Sequence, residues 1–332
     1  MRKYLLIGII LFFLIILSVS GLKYISKGKN TQKNREKITV LLDWFPNTNH
    51  TGLYVALDKG YFTNEGLDVS IIQPSEGKGT QIIAAGKADF GVSSQESVTL
   101  ARAQDIPIVS VAAIIQHNTS AFASLPQSNI KSVKDFEGKR YGGWGSPIEE
   151  AVLKALMSEA GAQYSKIKNI TIGTTDFFTT IGKESDFQWI FYGWDAIEAQ
   201  RRGVKLNTIV LKDLNPILDY YTPVLITSED RIKNKKDMVK KFMKATSAGY
   251  TFAIENPGEA AGILLKHAPE LNKDLVYQSQ TWLSKQYMAD APKWGIQKDD
   301  VWKRYAKWLS DHKLMKKDIS SSEAYTNDFL PQ

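Results

Sequence analysis

The densest group of side chains suited to chemistry lies between Asp43 and Tyr54, in the run Asp-Trp-Phe-Pro-Asn-Thr-Asn-His-Thr-Gly-Leu-Tyr. Aromatic faces stack on flat rings, and amide groups both donate and accept at ring edges. Asp43, Trp44, Asn47, His50 and Tyr54 are therefore candidate contacts for a small heterocycle. The structural alternative puts Trp44 and Tyr54 in a core and His50 at a helix cap. Three further segments have the same character. Tyr141-Gly-Gly-Trp-Gly-Ser-Pro-Ile-Glu-Glu is a glycine-rich turn opening a helix. Its free backbone N–H groups suit an anion or a carbonyl oxygen, with Glu149 and Glu150 fitting the helix dipole. Trp189-Ile-Phe-Tyr-Gly-Trp-Asp ends an apolar run in Tyr192, Trp194 and Asp195, and Asp219-Tyr-Tyr-Thr-Pro carries Tyr220 and Tyr221. No dinucleotide or phosphate-loop fingerprint is present. Nor is there a Ser-His-Asp, Cys-His or paired-carboxylate arrangement at meaningful spacing. The pattern describes a cleft that binds a small molecule, with no catalytic residue, metal ligand or cofactor assigned.

These segments need strand ends to hold them. Ile38–Leu42 reads as a buried strand, Leu53–Leu57 as a helix closed by Gly60, and Leu67–Ile72 as a second strand. In such β-loop-α-β units ligands sit beyond the carboxyl ends of the strands, which is where the Asp43 loop falls. Strands and helices continue to alternate: a helix over Lys78–Ala85, strands at 88–93 and 108–115, and a helix over 146–160 with Pro147 first and Gly161 last. Strands follow at 170–173, 188–192 and 206–211, and another, from Tyr220 to Thr227, runs back towards the beginning. From Asp230 the pattern is helical, over 236–255, 257–267, 273–284 and 299–311. The fold class is α/β with mainly parallel sheets, and the helical tail is expected to cap the first lobe. Trp282, Trp294, Trp302 and Trp308 in that tail read as packing residues.

With 332 residues, 43% hydrophobic and 23% charged, the chain suits two lobes. It has no cysteine, which excludes disulfides, thiol catalysis, thiolate metal sites and attachment through a lipidated cysteine. Arg2-Lys3 precede an apolar stretch from Tyr4 to Leu17, and Ser18 and Ser20 offer a cleavage site. Residues 1–20 are thus a signal peptide or a membrane anchor, and export is expected either way. Residues 21–37 form a basic, polar tether. Several of the charges behind the formal +7 lie there, which fits an anionic membrane surface and not nucleic acid.

The runs L-L-D-W-F-P-N-T-N-H-T-G-L-Y-V-A, K-G-Y-F-x-x-E-G-L-D-V, G-K-A-D-F-G-V-S, G-W-G-S-P-I-E-E-A-V, W-I-F-Y-G-W-D and D-Y-Y-T-P-V-L-I-T together resemble the thiamine-pyrimidine-precursor family of extracytoplasmic solute-binding proteins. The resemblance covers roughly residues 38–325. K-G-Y-F-x-x-E-G-L is shared with nitrate-, sulfonate- and taurine-binding relatives. It implies a type II periplasmic-binding-protein fold, two α/β lobes joined by a two-strand hinge that closes on ligand. Residues 38–125 with 226–332 would form lobe 1 and 126–225 lobe 2, with breaks near Ala123–Pro126 and Thr222–Ser228. It also implies an aminopyrimidine ligand such as N-formyl-4-amino-5-aminomethyl-2-methylpyrimidine and an ABC permease with its ATPase subunit as partner. Many members of the family look like lipoproteins; with no cysteine here, membrane association would have to come through the apolar N-terminus.

In that setting Trp44, Tyr192, Trp194 and Tyr221 would stack on the ring. Asp43, Asp195 or Glu96 would read its amine edge, and Asn47, His50 and the turn with Gly145 and Ser146 would meet the formamide. Tyr54, Gln95, Glu149 and Tyr220 complete the candidate set. Enzymes of the same family that build the pyrimidine carry a lysine, a histidine and a cysteine-rich motif. Here those regions read Gly91-Val-Ser-Ser-Gln-Glu-Ser and Leu218-Asp-Tyr-Tyr-Thr, so the enzyme reading loses its chemistry. Binding of a sulfonate or nitrate is the alternative within the architecture. A pyrimidine synthase and a membrane-bound ligand sensor are the alternatives outside it.

Overall fold

In the computed structural model, which describes residues 35–73, 79–173 and 175–332, ten strands form two five-stranded sheets. Residues 37–332 make one compact unit. The N-terminal segment and nearly all of the tether lie outside the described residues, as does Lys78, expected to open a helix that runs from Gly79 to Ala84. Among the described residues no helix is long and apolar enough to cross a membrane.

The first sheet has the order β2-β1-β3-β10-β4. Its strands are β1 (Glu36–Leu41), β2 (Leu67–Ile72), β3 (Phe90–Ser93), β4 (Ile108–Ala113) and β10 (Val224–Ser228). The second has the order β7-β6-β8-β5-β9. It contains β5 (Ser120–Ser124), β6 (Arg140–Gly143), β7 (Lys168–Thr171), β8 (Phe187–Phe191) and β9 (Asn207–Val210). Both sheets are mixed where mainly parallel ones were expected. β1 pairs parallel with β3, and β6 with β7 and β8. β10 runs antiparallel to β3 and β4, and β5 antiparallel to β8 and β9. β5 and β10 are the two strands that arrive directly from the other lobe, without a covering helix to reverse the chain.

The chain leaves the first sheet after Ala113 and joins the second at Ser120, so it crosses at 114–119, earlier than the break expected at Ala123–Pro126. β5 is a buried central strand of the second sheet, and its small residues leave no composition signal of a lobe boundary. The return crossing occupies 219–223. β10 begins only at Val224, so Tyr220 and Tyr221 belong to the crossing and not to a strand.

The tail does more than cap the first lobe. Asp299–Asp311 puts Val301 and Trp302 into the core under the first sheet, and Tyr305, Trp308 and Leu309 into that of the second. The spacing of these residues sets one apolar face of a helix, which here spans both lobes. Trp294 stacks on Tyr250 at 4.3 Å and donates its Nε1–H to the Ile114 carbonyl at 3.2 Å, at the start of the first crossing. Helix Lys236–Glu255 lies against helix Thr51–Asp58 closely enough that a Cβ on Gly52 would stand 2.2 Å from the Tyr250 ring, and one on Gly249 2.0 Å from the Gly52 carbonyl. That contact fixes the helix that follows the Asp43 loop to the tail.

His117, on the first crossing, joins the two connections. Its Nδ1 lies 2.7 Å from Asp219 of the return crossing, and its Nε2 lies 2.9 Å from Asp290 of the tail. Asn118 donates its N–H to the other Asp219 oxygen at 2.9 Å, and Lys298 approaches Asp290 at 3.8 Å. An imidazole that donates from both nitrogens is an imidazolium, and the hydrogen bond to Asp219 raises the His117 pKa above its ordinary value. The stability this gives is therefore complete below about pH 6.5 and is lost as pH rises through the higher folded value. The bond to His117 also holds Asp290 below the usual carboxylate range, so that share disappears only on strong acidification. The melting-temperature advantage of the native chain over His117→Gln should shrink as pH is raised from about 6 to about 8.5. A difference that does not change with pH would contradict the clasp.

Candidate functional site

Between the two sheets lies a cavity of about 380 Å³, at the small end of the range for ligand sites. The first lobe supplies Asp43, Trp44, Asn47 and Asn49 from the loop after β1. The crossings supply Thr119, Thr222 and Pro223. The second lobe supplies Gly142–Trp144 after β6, Ile172, Gly173, Thr175 and Phe177 after β7, and Gln188–Phe191, Trp194 and Asp195 from β8 and the turn beyond it. Among the described residues no lysine, arginine or histidine is in this lining, and its charged groups are Asp43 and Asp195. Trp44, Phe45, Trp144 and Phe191 are each at least 40% exposed, a concentration of open aromatic surface that marks a binding site.

The first wall is built around a buried histidine. Asn47 caps the turn Thr48–His50 by accepting the Asn49 N–H at 2.8 Å, and its own N–H donates to His50 Nδ1 at 3.3 Å. Nδ1 is thus an acceptor, so the ring proton sits on Nε2 and donates to Asp43 Oδ1 at 2.8 Å. His50 is fully buried, while the Asp43 side chain keeps 35% exposure towards the cavity. Tyr250 pins the loop from behind by donating to the Asn49 carbonyl at 2.7 Å.

The second wall rests on a different cap. Glu149, buried at the start of helix Pro147–Glu159, accepts from the Tyr141 hydroxyl at 2.6 Å, from the Ser146 N–H at 2.9 Å and from the Trp144 N–H at 3.2 Å. A Cβ on Gly143 would come 2.4 Å from Glu149 Oε1, so glycine is needed for the turn to close over the carboxylate. The turn presents Trp144, which meets Trp189 edge-on at 5.5 Å. Asp195 sits in a single π-helical turn, Tyr192–Ala196, and accepts the Phe191 N–H at 3.0 Å. Burial of its carboxyl in the cleft, with Asp176 nearby, pushes its pKa up to about 6. Among the described residues no basic side chain pairs with it. Single π-helical turns are frequent at functional sites.

Of the residues singled out in the sequence, Asp43, Trp44, Asn47, Trp194 and Asp195 meet in this cavity. His50 stands one hydrogen bond behind it. Gly145, Ser146 and Glu149 shape the turn under Trp144 and do not line the cavity. Tyr54 is buried away from it, stacked on His267 at 5.4 Å. Gln95 braces the return crossing, accepting the Tyr221 N–H at 2.9 Å and donating to the Val301 carbonyl at 3.1 Å. The Tyr221 hydroxyl is taken by the Lys298 N–H, and Tyr220 stacks on Tyr305 at 4.2 Å. Glu96 is turned towards Tyr305 in the interior, where burial and then the Glu149 charge push its pKa up to about 7. Tyr192 faces the other way, onto Trp282 at 5.3 Å.

Trp144 and Trp189 stand in quoted segments, and Gln188, the second residue of β8, directly precedes one of them. Thr119 and Pro223 come from the crossings, and misplacing the first crossing hid Thr119.

A family model described as NMT1/THI5 like matches residues 47–260, which includes the second wall and the Asn47–Asn49 part of the first but not Asp43 or Trp44. This chain belongs to the NMT1/THI5-like family. Over 306 residues it is 28% identical to the formylaminopyrimidine-binding protein of Halalkalibacterium halodurans, covering 88% of this chain and 90% of that one. It is 25% identical over 301 residues to the 4-amino-5-hydroxymethyl-2-methylpyrimidine phosphate synthase of Legionella pneumophila, covering 90% and 93%. The fold is that of periplasmic binding proteins. The solved periplasmic aliphatic sulphonate binding protein of Escherichia coli superposes with a TM-score of 0.68 at 14% identity, covering 90% of this chain and 94% of that one.

The geometry of this NMT1/THI5-like site gives His50 a positioning role. His50→Phe keeps the ring volume but leaves the Asn47 N–H and Asp43 without their partner. It should lower the unfolding free energy by about 1–3 kcal/mol, read from chemical denaturation. Unchanged stability would show that Asp43 does not depend on His50.

Proposed function

We propose that this chain is the extracytoplasmic substrate-binding component of an ABC importer and captures an aminopyrimidine precursor of thiamine. N-formyl-4-amino-5-aminomethyl-2-methylpyrimidine or a close relative is the ligand. The observation that carries the reading is the lining of the cleft: among the described residues it offers indole and phenyl faces, two carboxylates and no cation. A flat, neutral or protonated heterocycle stacks between such faces. The exocyclic amine and neighbouring ring nitrogen of an aminopyrimidine offer a donor edge, and Asp195 is placed to accept from it once the ring nitrogen shares or takes a proton. Asp43, oriented by His50, accepts a second donor, and Asn47 and Gln188 serve the remaining polar edge.

Sulfonate and nitrate ligands fit this lining poorly, because its two carboxylates repel an anion and the Trp144 and Ser146 N–H groups of the glycine-rich turn are already given to Glu149. Arg140 is committed to Asp186 at 2.7 Å, and Lys87 is exposed outside the cavity. The pyrimidine-synthase reading, which a relative's name keeps in view, meets Gly91-Val-Ser-Ser-Gln-Glu-Ser, without lysine or histidine, in the region where those enzymes are expected to carry them. Within that run Ser94 is a helix cap that accepts the Ser97 N–H at 3.1 Å. The apolar start of the chain and its basic tether support export and membrane association, and the two-lobed fold supports delivery to a permease.

Calorimetric titration of the full-length chain with formylaminopyrimidine, hydroxymethylpyrimidine, thiamine and taurine tests the reading. A pyrimidine should bind and taurine should not. Asp195→Asn and Asp43→Asn should each weaken binding by about tenfold or more, the value of a hydrogen bond to a charged group. Heat from taurine with silence from every pyrimidine would overturn the assignment.

A further inference from the structure

Helix Lys273–Leu283 belongs with the first lobe, where Val276 and Leu283 enter the core, yet it lies against the second lobe's turn at Tyr192–Ala196. At the centre of that contact Ser279 is fully buried. Its hydroxyl donates to the carbonyl of Gly193, the residue immediately before Trp194 and Asp195. Its oxygen lies 2.6 Å from the hydroxyl of Thr48, which stands between Asn47 and His50 in the first wall. Because the carbonyl can only accept, the single Ser279 proton points at Gly193. The Thr48 hydroxyl must then donate to Ser279. The result is a directed relay, Thr48 to Ser279 to Gly193, that begins in one wall of the cavity and ends in the other.

The surroundings fit that arrangement. A Cβ on Gly193 would stand 3.0 Å from both Leu283 and Trp282, so the backbone approaches this helix as closely as glycine permits. Tyr192, the residue before Gly193, is stacked on Trp282. Neither Thr48 nor Ser279 lines the cavity.

We propose that Ser279 is a closure latch, a positioning residue that ties the loop bearing Asp43 to the turn bearing Trp194 and Asp195 and so sets the population of the closed cleft without touching ligand. Opening the lobes breaks the Ser279–Gly193 bond and exposes both groups to water. Closing restores it in a dry contact. A ligand that engages both walls binds in proportion to the closed population, so removing the latch lowers apparent affinity through that fraction.

The effect of the latch on affinity rests on the pyrimidine reading; its effect on shape does not. The test uses the full-length chain with Ser279→Ala, Thr48→Val and the conservative Thr48→Ser. Without ligand, small-angle X-ray scattering should show a larger radius of gyration for Ser279→Ala than for the native chain. With formylaminopyrimidine, Ser279→Ala should raise Kd by roughly tenfold, mostly through faster dissociation. Thr48→Val should move the same way by less, and Thr48→Ser should restore native behaviour. An unchanged radius of gyration in folded Ser279→Ala overturns the latch whatever the ligand proves to be. So does an unchanged dissociation rate in a variant that binds. If the native chain binds no pyrimidine while Ser279→Ala still expands, the latch stands and the ligand assignment falls.

Discussion

His50 has no contact with solvent, and its two ring nitrogens leave Asp43 little freedom. With Nδ1 occupied by the Asn47 N–H, the proton on Nε2 is directed at the Asp43 carboxylate. The same short turn offers the Thr48 hydroxyl to Ser279 and the Asn49 carbonyl to Tyr250. One loop of eight residues, Asp43–His50, is thereby fixed to its own sheet, to the helical tail and, through Ser279, to the opposite lobe. The aromatic faces across the cavity are useful only because this loop holds still. Stacking and hydrogen bonding between two lobes act on a ligand when both walls arrive at a fixed separation.

The second constraint is electrostatic. Two carboxylates share a cleft with tryptophan and phenylalanine, and among the described residues no counter-cation is in the lining. In a low-dielectric site an unpaired carboxylate is unfavourable, which is why the Asp195 pKa is pushed up to about 6. A ligand that brings hydrogen-bond donors relieves that penalty, whereas an anion adds to it. Selectivity within an architecture shared with sulphonate-binding proteins thus arises from what lines the cleft and not from the fold.

Much of this was legible in the sequence because strand ends announce themselves. The apolar run through Leu42 stops where Asp43, Trp44 and Asn47 begin, and those three line the cavity. Tyr192 and Trp194 show where the reading fails. Two residues apart at the end of a strand, they should share a face. The π-helical turn ends that alternation, sending Tyr192 onto Trp282 and Trp194 into the cleft. Gln95, Tyr220 and Tyr221 are polar or aromatic beside a strand end, as ligand contacts are. Their partners, Val301, Tyr305 and Lys298, come from a tail about 80–200 residues distant, which no local pattern reveals. The mixed sheets escape for a related reason: strand direction depends on where the chain crosses, and the Asn118-Thr119-Ser120 turn before β5 marks a bend without saying which lobe follows.

The most direct test of the account is a crystal structure of the chain grown with formylaminopyrimidine. The account predicts the ring between the lobes, stacked against the indoles of the cavity, with its amine edge on Asp195 and a second donor on Asp43. A ring bound elsewhere, or one in the cleft with its amine edge turned away from both carboxylates, would contradict it.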